Sequence, residues 1–236
     1  MKFKSLIIFI FIVLSFDLYA FEYKTYRFDD LSHQLGYPSE TYFGSGEDEI
    51  QDLETYSSKE DNFYKEINNY LRIFPRPYEW TGTSPEKAKI IVANIDKIFT
   101  KIPSIPQELI LFRGVDLKYR NNKSFTIGEE FVDKGYVSTS TSFKIANYFA
   151  TEINGESSVS KKAIFVLYQN LPDQKGILID QNEDEVLLKH GQVLKVMSTR
   201  KTNSAYETYL VQACKNSCDK QMDKDIETFW KSFKEN

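Results

Sequence analysis

The pattern of apolar residues changes from helical to strand-like at Leu109-Ile110-Leu111-Phe112-Arg113. A run of four apolar residues that ends on a cation is typical of a short buried strand. Before this run, apolar residues recur at steps of three and four, the spacing of one helix face, and after it they form short runs bounded by turn residues. Helices followed by strands are the signature of an α+β domain, which is the fold class that we predict.

Three amphipathic helices are predicted upstream of this run. Their apolar positions are Ile50, Leu53 and Tyr56 for the first, Phe63, Ile67, Tyr70 and Leu71 for the second, and Ile90, Ile91, Ile95, Ile98 and Phe99 for the third. The first two are separated near Ser57-Ser58, and Pro75 ends the second because proline cannot continue a helix. The third begins at Ser84-Pro85, where serine caps the helix and proline fits its first turn.

The remaining pattern predicts six more strands and a terminal helix. The strand candidates are Gly135–Thr139, Ala163–Tyr168, Gly176–Ile179, Glu185–Leu188, Gln192–Thr199 and Glu207–Gln212. Residues 214–236 form a charged tail whose helical part places Ile226, Phe229, Trp230 and Phe233 on one side, which favours packing. Residues 21–46 are polar and carry turn signals such as Gly36-Tyr37-Pro38, so we expect extended or loop structure there.

Residues 1–20 have the features of an export signal. Lys2 and Lys4 precede an apolar run from Leu6 to Phe16, and the segment ends on Ala20, after which we expect cleavage. An uncleaved membrane anchor is the competing interpretation. It is disfavoured because the run is shorter than the ~20 apolar residues that span a bilayer and Asp17 follows it at once. We therefore expect a secreted protein without a membrane span after cleavage.

Composition and charge narrow the classes of function. The chain has 236 residues, 41% hydrophobic and 27% charged, which is a globular composition and the length of one domain with an appended tail. Its formal net charge of −4 and the lack of a dense Lys/Arg run argue against a nucleic acid partner.

The two cysteines, Cys214 and Cys218, favour a disulfide over a metal site. An exported chain permits disulfides, and the only histidines, His33 and His190, are not in a ligand-like spacing with the cysteines. We therefore expect no bound metal. A bond between residues so close together would require a turn rather than continuous helix.

Three short motifs carry the candidate chemistry. Phe112-Arg113-Gly114 ends the first strand on a cation, followed by a residue that permits close approach to a ligand, although an isolated arginine is more often a surface ion-pair partner. The hydroxyl-rich run Gly135–Ser142 ends a later strand, and Ser140 or Ser142 also fits as the cap of a helix that carries Phe149.

The third motif is the acidic turn Gln181-Asn182-Glu183-Asp184-Glu185, which leads directly into a strand. Such turns are normally solvated. In a strand, residues two apart project to the same face, so Glu183 and Glu185 are expected to point into one cleft. Two carboxylates there can divide the work, one stabilising a cationic sugar and the other accepting a proton.

Together, in this order, the motifs resemble those of the arginine–serine–glutamate class of mono-ADP-ribosyltransferase toxins, which includes the enzymatic components of iota-type binary toxins and small single-domain bacterial toxins. The run Tyr64 to Arg72 resembles a helix of that class whose tyrosine lines the NAD site. The resemblance extends from about Glu47 to Val211. It implies an ADP-ribosyltransferase-like fold over residues 47–213, with N-terminal helices packed on a two-sheet β core, and NAD as the co-substrate.

The resemblance also implies a role for each candidate residue. Arg113, with Gly114 beside it, is expected to hold the NAD diphosphate, and Ser138 to hydrogen-bond Glu185. Thr139 and Ser140 are expected to brace the strand. Glu185 is expected to stabilise the oxocarbenium ion, and Glu183 to orient and deprotonate the acceptor arginine. Phe149 is expected to pack on nicotinamide, and Tyr64 to line the NAD site. Phe149 fits almost as well as a helix core residue.

The predicted function is transfer of ADP-ribose from NAD to an arginine of a target protein, with an actin-like host protein among the candidates, by a monomeric enzyme. One alternative is an NAD glycohydrolase, in which water captures the same cation. Another is a catalytically silent secreted interaction module. A general nucleophilic hydrolase is disfavoured because no Gly-x-Ser-x-Gly motif occurs.

Overall fold

The computed structural model describes residues 26–36, 48–58, 63–73, 83–153, 161–169, 171–180, 182–200, 206–214 and 226–233. The predicted export signal at residues 1–20 lies outside the described residues, as does Cys218.

Six α-helices occur within these ranges. They are α1 (Phe28–Leu35), α2 (Asp48–Ser57), α3 (Phe63–Ile73), α4 (Pro85–Lys101), α5 (Phe143–Tyr148) and α6 (Ile226–Ser232). A π-helical turn, Phe149–Ile153, continues α5. The three upstream helices are confirmed, and α4 starts as predicted, because the Ser84 hydroxyl accepts a hydrogen bond from the Lys87 amide at 3.2 Å.

The expectation of extended structure in residues 21–46 is wrong for Phe28–Leu35, which is helix α1. Phe28, Leu31 and Leu35 are buried and belong to the central core of the sheet. Their spacing of three and four residues suits one face of a helix, so burial of that face stabilises α1 despite its polar neighbours. Gly36, the first residue of the predicted turn, ends the helix with a φ of 69°.

In the described part of the chain, eight strands form one hydrogen-bonded sheet. They are β1 (Leu109–Asp116), β2 (Glu130–Asp133), β3 (Val137–Ser140), β4 (Lys162–Gln169), β5 (Gly176–Leu178), β6 (Glu185–Leu188), β7 (Gln192–Arg200) and β8 (Tyr206–Cys214). The order is β2-β7-β8-β4-β1-β3-β6-β5. Only β2 was not predicted. The pairing is antiparallel except between β4 and β8, and the predicted α+β class is confirmed.

The sheet has two parts that meet at a single residue pair. In the register of β1 and β3, both of which are fully described, Phe112 lies opposite Ser140 and no second pair follows. By contrast, β1 pairs with β4 along its whole length. Apolar residues of both parts, including Leu111 of β1 and Val186 of β6, belong to one buried cluster together with α1. The two parts therefore share their core, as expected of a two-layer β arrangement.

Helices cover the outer faces in two separate groups. Helices α2, α3 and α4 pack on β5 and β6, where Ile177 and Leu187 are buried among them. Helices α5 and α6 pack on β1, β4 and β8. Phe229 of α6 and Phe233, directly after it, are buried there, so the predicted packing of the tail is confirmed for these residues. No helix of the described ranges has the length and apolar content needed to cross a membrane.

Cys214 is the last residue of β8 and is disulfide-bonded. The sequence has one other cysteine, Cys218. The position of Cys214 at the end of a strand fits the expectation that the chain does not continue as a helix through both cysteines.

Candidate active site

The hydroxyl-rich strand β3 lies directly beside the strand that begins with Glu185. In the antiparallel register of β3 and β6, Ser140 pairs with Glu185 and Ser138 pairs with Leu187. These four residues share one face of the sheet because paired residues point to the same side and alternate residues repeat it. Ser138 is thus a diagonal neighbour of Glu185, whereas Ser140 is its direct partner. Ser138 is exposed and Glu185 is half-buried, as expected at an open cleft.

This part of the sheet lies between the two groups of helices. Leu187 packs with α2–α4, and Phe112, opposite Ser140, packs with α5 and α6. The pair of Ser140 and Glu185 is therefore at the border where neither group covers the sheet completely.

Ser140 ties β3 to the acidic turn. Its hydroxyl donates to the carbonyl of Glu183 at 2.9 Å and accepts from the amide of Ser142 at 3.0 Å. The amide of Thr141 donates to the carbonyl of Asp184 at 3.1 Å. Two successive carbonyls of the turn are thus held by the end of β3. The Ser142 hydroxyl caps α5 by accepting from the Ile145 amide at 3.4 Å, so the capping interpretation holds for Ser142.

The other side of the acidic turn is closed by Asp180. Its carbonyl accepts from the Glu185 amide at 2.9 Å, and its carboxylate accepts from the Asn182 amide at 2.7 Å. Asp184 takes a left-handed conformation with a φ of 48°. Strand β6 begins only at Glu185, so the same-face argument does not apply to Glu183, which lies in the turn itself. The turn is nevertheless fixed at both ends by these hydrogen bonds.

Two further interactions involve this turn and the strand that follows it. The Thr139 hydroxyl donates to the carbonyl of Val186 across the strands, so Thr139 braces β3 against β6. Burial raises the pKa of the Asp184 carboxyl, and the nearby carboxylate of Asp29 adds to this effect. Because Asp29 is at the start of α1, the N-terminal helix borders the acidic turn.

Arg113 belongs to a cluster of three charged side chains. Its Nη1 lies 3.0 Å from Oδ2 of Asp133, and Arg72 donates to Oδ1 of the same carboxylate. Strands β1 and β2 are four places apart in the sheet order, so this contact requires the sheet to curl until its edge returns to β1. Burial alone would raise the pKa of the Asp133 carboxyl, but the guanidinium charges of Arg113 and Arg72, with the hydrogen bonds from Arg72 and the Gly135 amide, hold it below its usual value.

Gly114 makes room for a helix. A Cβ at this position would lie 2.1 Å from the carbonyl oxygen of Ala146 and 2.6 Å from the amide nitrogen of Ala150. The main chain of α5 and of the π-helical turn therefore packs directly against β1 at this residue. This packing accounts for the glycine on that face, and a contact of Gly114 with NAD stays a prediction.

Phe149 and Tyr64 are partly accessible. Phe149 begins the π-helical turn, is half-buried, and lies 6.2 Å from the ring of Tyr148. Tyr64 is 38% exposed, near the start of α3. Residues four apart lie on one helix face, so Tyr64 shares its face with Asn68 and Arg72.

Helix α3 contacts the link that leads into β3. Asn68 Oδ1 accepts from the Tyr136 amide at 2.7 Å, and a Cβ at Gly135 would lie 2.6 Å from Asn68 Oδ1 and 2.9 Å from Nη2 of Arg72. The other end of the Asn68 amide donates to the Tyr56 hydroxyl at 3.0 Å. A buried asparagine thus connects α2, α3 and the strand that carries the serines.

The Tyr56 hydroxyl shows that the candidate charges lie near one another. Burial raises its pKa, the Glu185 carboxylate raises it further, and the guanidinium groups of Arg113 and Arg72 oppose the shift. One hydroxyl therefore experiences charges from both parts of the sheet and from α3. Such electrostatic effects fall off with distance, so Glu185, Arg113 and Arg72 all lie in the neighbourhood of this hydroxyl.

Tyr136 anchors the start of β3 on α4. Its hydroxyl is 3.0 Å from Oδ1 of Asp96, whose Oδ2 lies 3.1 Å from both Nε2 of His190 and Nζ of Lys189. His190 is thereby engaged in a structural ion-pair cluster. Among the described residues, no three side chains of His, Cys, Asp or Glu are grouped to hold a metal ion.

The structure brings together Ser138, Thr139, Ser140, Glu183 and Glu185 through β3, β6 and the acidic turn. It adds three polar residues that the motifs did not identify, namely Asn68, Arg72 and Asp133. A signal for Asn68 and Arg72 was present, because both lie within the run from Tyr64 to Arg72 that was recognised as a helix with a site tyrosine. Asp133 had no such signal.

Comparison with known proteins identifies the family. A sequence profile described as ADP-ribosyltransferase exoenzyme matches residues 22–218. The chain belongs to the ADP-ribosyltransferase exoenzyme family. Members of this family are bacterial toxins that use NAD as co-substrate and modify proteins. No curated protein sequence gives a significant match.

Solved structures of bacterial ADP-ribosyltransferases share the fold. The Vis toxin of Vibrio splendidus is 21% identical, with a TM-score of 0.58 over 82% of this chain and 84% of its own. The Clostridium limosum C3 exoenzyme is 19% identical, with a TM-score of 0.57 over 82% of this chain and 98% of its own. The family fold therefore extends over most of the chain.

Proposed function

We propose that this chain is an exported, monomeric mono-ADP-ribosyltransferase that cleaves NAD and transfers ADP-ribose to arginine in a target protein. The observation that carries the proposal is the position of strand β3, which pairs with Glu185 of β6. Gly135, just before β3, lies beside Arg72, which shares the Asp133 carboxylate with Arg113. A carboxylate suited to stabilise a sugar cation and a guanidinium suited to bind phosphate thus act on one region. The structural neighbour Vis has been solved in complex with agmatine, a compound that carries a guanidinium group as arginine does.

Arg113 and Arg72 are the groups proposed to bind the diphosphate. A guanidinium presents a planar set of N–H donors that matches phosphate oxygens, and two of them can bind both phosphates. Tyr64 shares the face of α3 with Arg72 and is proposed to line the NAD site. Phe149 is proposed to pack on the nicotinamide ring, and Gly114 to let the main chain approach the ligand.

Glu185 is proposed to act on the bond that breaks. It accepts a hydrogen bond from the 2′-hydroxyl of the nicotinamide ribose and stabilises the positive charge that develops as the C1′–N bond breaks. Nicotinamide leaves with the electron pair of that bond. Ser138, a diagonal neighbour of Glu185 on β3, orients its carboxylate, while Thr139 and Ser140 hold the strand and the turn.

Glu183 is proposed to prepare the acceptor. The guanidinium of arginine is protonated at neutral pH and a poor nucleophile. A carboxylate beside it orients the group and takes the proton that arginine loses when its nitrogen bonds to C1′. The products are ADP-ribosylated arginine, nicotinamide and one proton.

Two conservative variants test these roles. The wild type, Glu183→Gln and Glu185→Gln are incubated with labelled NAD and host lysate, and both nicotinamide release and protein labelling are measured. Glu185→Gln is expected to lose about 100-fold or more in both, because it removes the group that stabilises the cation. Glu183→Gln is expected to lose arginine labelling and to keep most NAD hydrolysis.

Mass spectrometry of the labelled proteins identifies the acceptor and its protein, including whether an actin-like protein is modified. Label on cysteine or asparagine would contradict arginine transfer. Nicotinamide release without protein label would favour an NAD glycohydrolase, and no release at all would favour a catalytically silent interaction module. An N-terminus at Phe21 in protein from culture medium would support export through residues 1–20.

A further inference from the structure

One carboxylate joins two arginines from different parts of the fold. Asp133 is the last residue of β2. Its Oδ1 accepts from Nε and Nη2 of Arg72 at 3.3 and 3.0 Å, and its Oδ2 lies 3.0 Å from Nη1 of Arg113. Asp133 thereby connects the end of helix α3 to strand β1. Among the described strands, β2, which carries Asp133, is not hydrogen-bonded to β1 within the sheet.

The carboxylate of Asp133 is itself held in place. The Gly135 amide donates to its Oδ1 at 3.1 Å, and the main-chain carbonyl of Asp133 accepts from the Gly191 amide at 2.8 Å. The side chain is 17% exposed. A fixed carboxylate can determine the conformation of flexible arginine side chains. Arg72, which is 39% exposed, is less enclosed than Arg113, which is 17% exposed.

The cluster keeps charge and donors for a ligand. Two guanidinium groups and one carboxylate carry a net charge of +1, and a dinucleotide diphosphate carries two negative charges. Each guanidinium has five N–H donors, of which Asp133 uses one edge of Arg72. Nη1 of Arg113 is buried and lies against Asp133, so the donors of Arg113 that remain for a ligand are those of its other guanidinium nitrogens.

Without the carboxylate, the two cations would lose their shared partner. Like charges at short range repel, most strongly where water is partly excluded. Each arginine would then adopt separate side-chain conformations, and binding a diphosphate would require both to be ordered again. We propose that Asp133 is a positioning residue for NAD, which holds Arg72 and Arg113 together so that both can bind one diphosphate. This inference rests on the proposed function.

The test is Asp133→Asn in the full-length protein. Asparagine has nearly the same shape and keeps an acceptor for the Gly135 amide, but it lacks the charge that holds the arginines. The KM for NAD in nicotinamide release is expected to rise about tenfold, with kcat within about twofold of wild type. The Kd for ADP-ribose, measured by calorimetry, is expected to rise by a similar factor, while adenosine, which lacks the diphosphate, is expected to bind unchanged.

The matched control is Glu129→Gln. Glu129 pairs with Arg120 at 2.6 Å, and both side chains have exposure similar to that of Asp133. This variant removes one guanidinium–carboxylate pair and is expected to leave the KM for NAD unchanged. Melting curves of both variants show whether they are folded.

Asp133→Glu is the second variant, because it keeps the charge and lengthens the side chain. It is expected to restore ADP-ribose affinity to within about threefold of wild type. If Asp133→Glu binds as weakly as Asp133→Asn, the role is steric and the proposal fails. It also fails if Asp133→Asn binds ADP-ribose as tightly as wild type or more tightly. A wild type that neither releases nicotinamide nor binds ADP-ribose would overturn the proposed function itself, and this inference with it.

Discussion

Replacement of Gly114 by alanine tests the contact between β1 and α5, on which the position of Arg113 depends. The added Cβ would lie 2.1 Å from the Ala146 carbonyl oxygen and 2.6 Å from the Ala150 amide nitrogen, whereas real Cβ contacts essentially never fall below 3.0 Å. Both neighbours are main-chain atoms, so no side-chain rotation relieves the overlap. Helix α5 and the π-helical turn must therefore move away from β1 by about 1 Å.

The expected cost is about 2 kcal/mol. Overpacking of a close contact costs roughly 1–3 kcal/mol, and the upper part of this range applies because backbone must move. The lower conformational entropy of alanine in the unfolded chain offsets about 0.4–1 kcal/mol. For a protein of this size, each kcal/mol lowers the Tm by about 2–4 °C, so a drop of roughly 4–8 °C is expected. Circular dichroism during heating measures it.

Gly128→Ala separates overlap from backbone strain. Gly128 has a φ of 84°, which disfavours alanine, but nothing lies within 4 Å of the added Cβ. This control is expected to cost about 1 kcal/mol and to leave NAD turnover unchanged. Gly114→Ala should in addition raise the KM for NAD, since Arg113 is its neighbour. A Gly114→Ala protein that melts within about 1 °C of wild type would refute the packing of α5 against β1.

Two other predictions concern the serines and the charged cluster. Ser140→Ala removes the donor to the Glu183 carbonyl and the acceptor for the Ser142 amide, so nicotinamide release should fall at least about tenfold. Ser138→Ala should lower turnover but leave the Tm unchanged, because Ser138 is exposed. In the folded protein the pKa of Asp133 is held below its ordinary value of about 3.9. Its ionised form therefore stabilises the fold above about pH 3.9. This stabilisation is lost as the pH falls from there through the pKa of the folded state. The difference in unfolding free energy between wild type and Asp133→Asn, from urea titrations, should be constant above about pH 5 and shrink towards pH 3; an unchanged difference at pH 3 would contradict it.

The helices and most strands were predictable because their apolar residues follow the period of one element. Ser84 and Pro85 mark the start of α4 by local capping chemistry alone. Helix α1 was missed although Phe28, Leu31 and Leu35 have the spacing of one helix face, because the helix is only eight residues long and depends on packing against the sheet. Strand β2 was missed because it has four residues at a sheet edge and is defined by its pairing with β7.

In the candidate site, too, some residues could be selected from local sequence, whereas other features depend on the assembled fold. Arg113, the serines of β3 and the acidic turn lie in local motifs, so their residue types and spacing were sufficient to select them as candidates, and their roles stay a prediction. The direct pairing of Glu185 with Ser140 rather than Ser138 depends on the register of β3 and β6. Asp133 reaches Arg113 only because the sheet curls, and this closure is a property of the assembled fold that no short motif contains.

The single backbone pair between Phe112 and Ser140 leaves the angle between the two sheet layers without a ladder to enforce it. That angle must instead be maintained by interdigitation of apolar side chains, such as Leu111 and Val186, in the shared interior. The separation between Arg113 and Glu185 thus depends on the volumes of apolar side chains that lie away from the proposed site. Substitutions in this interior can accordingly change the width of the proposed cleft while Arg113, Ser138 and Glu185 stay the same.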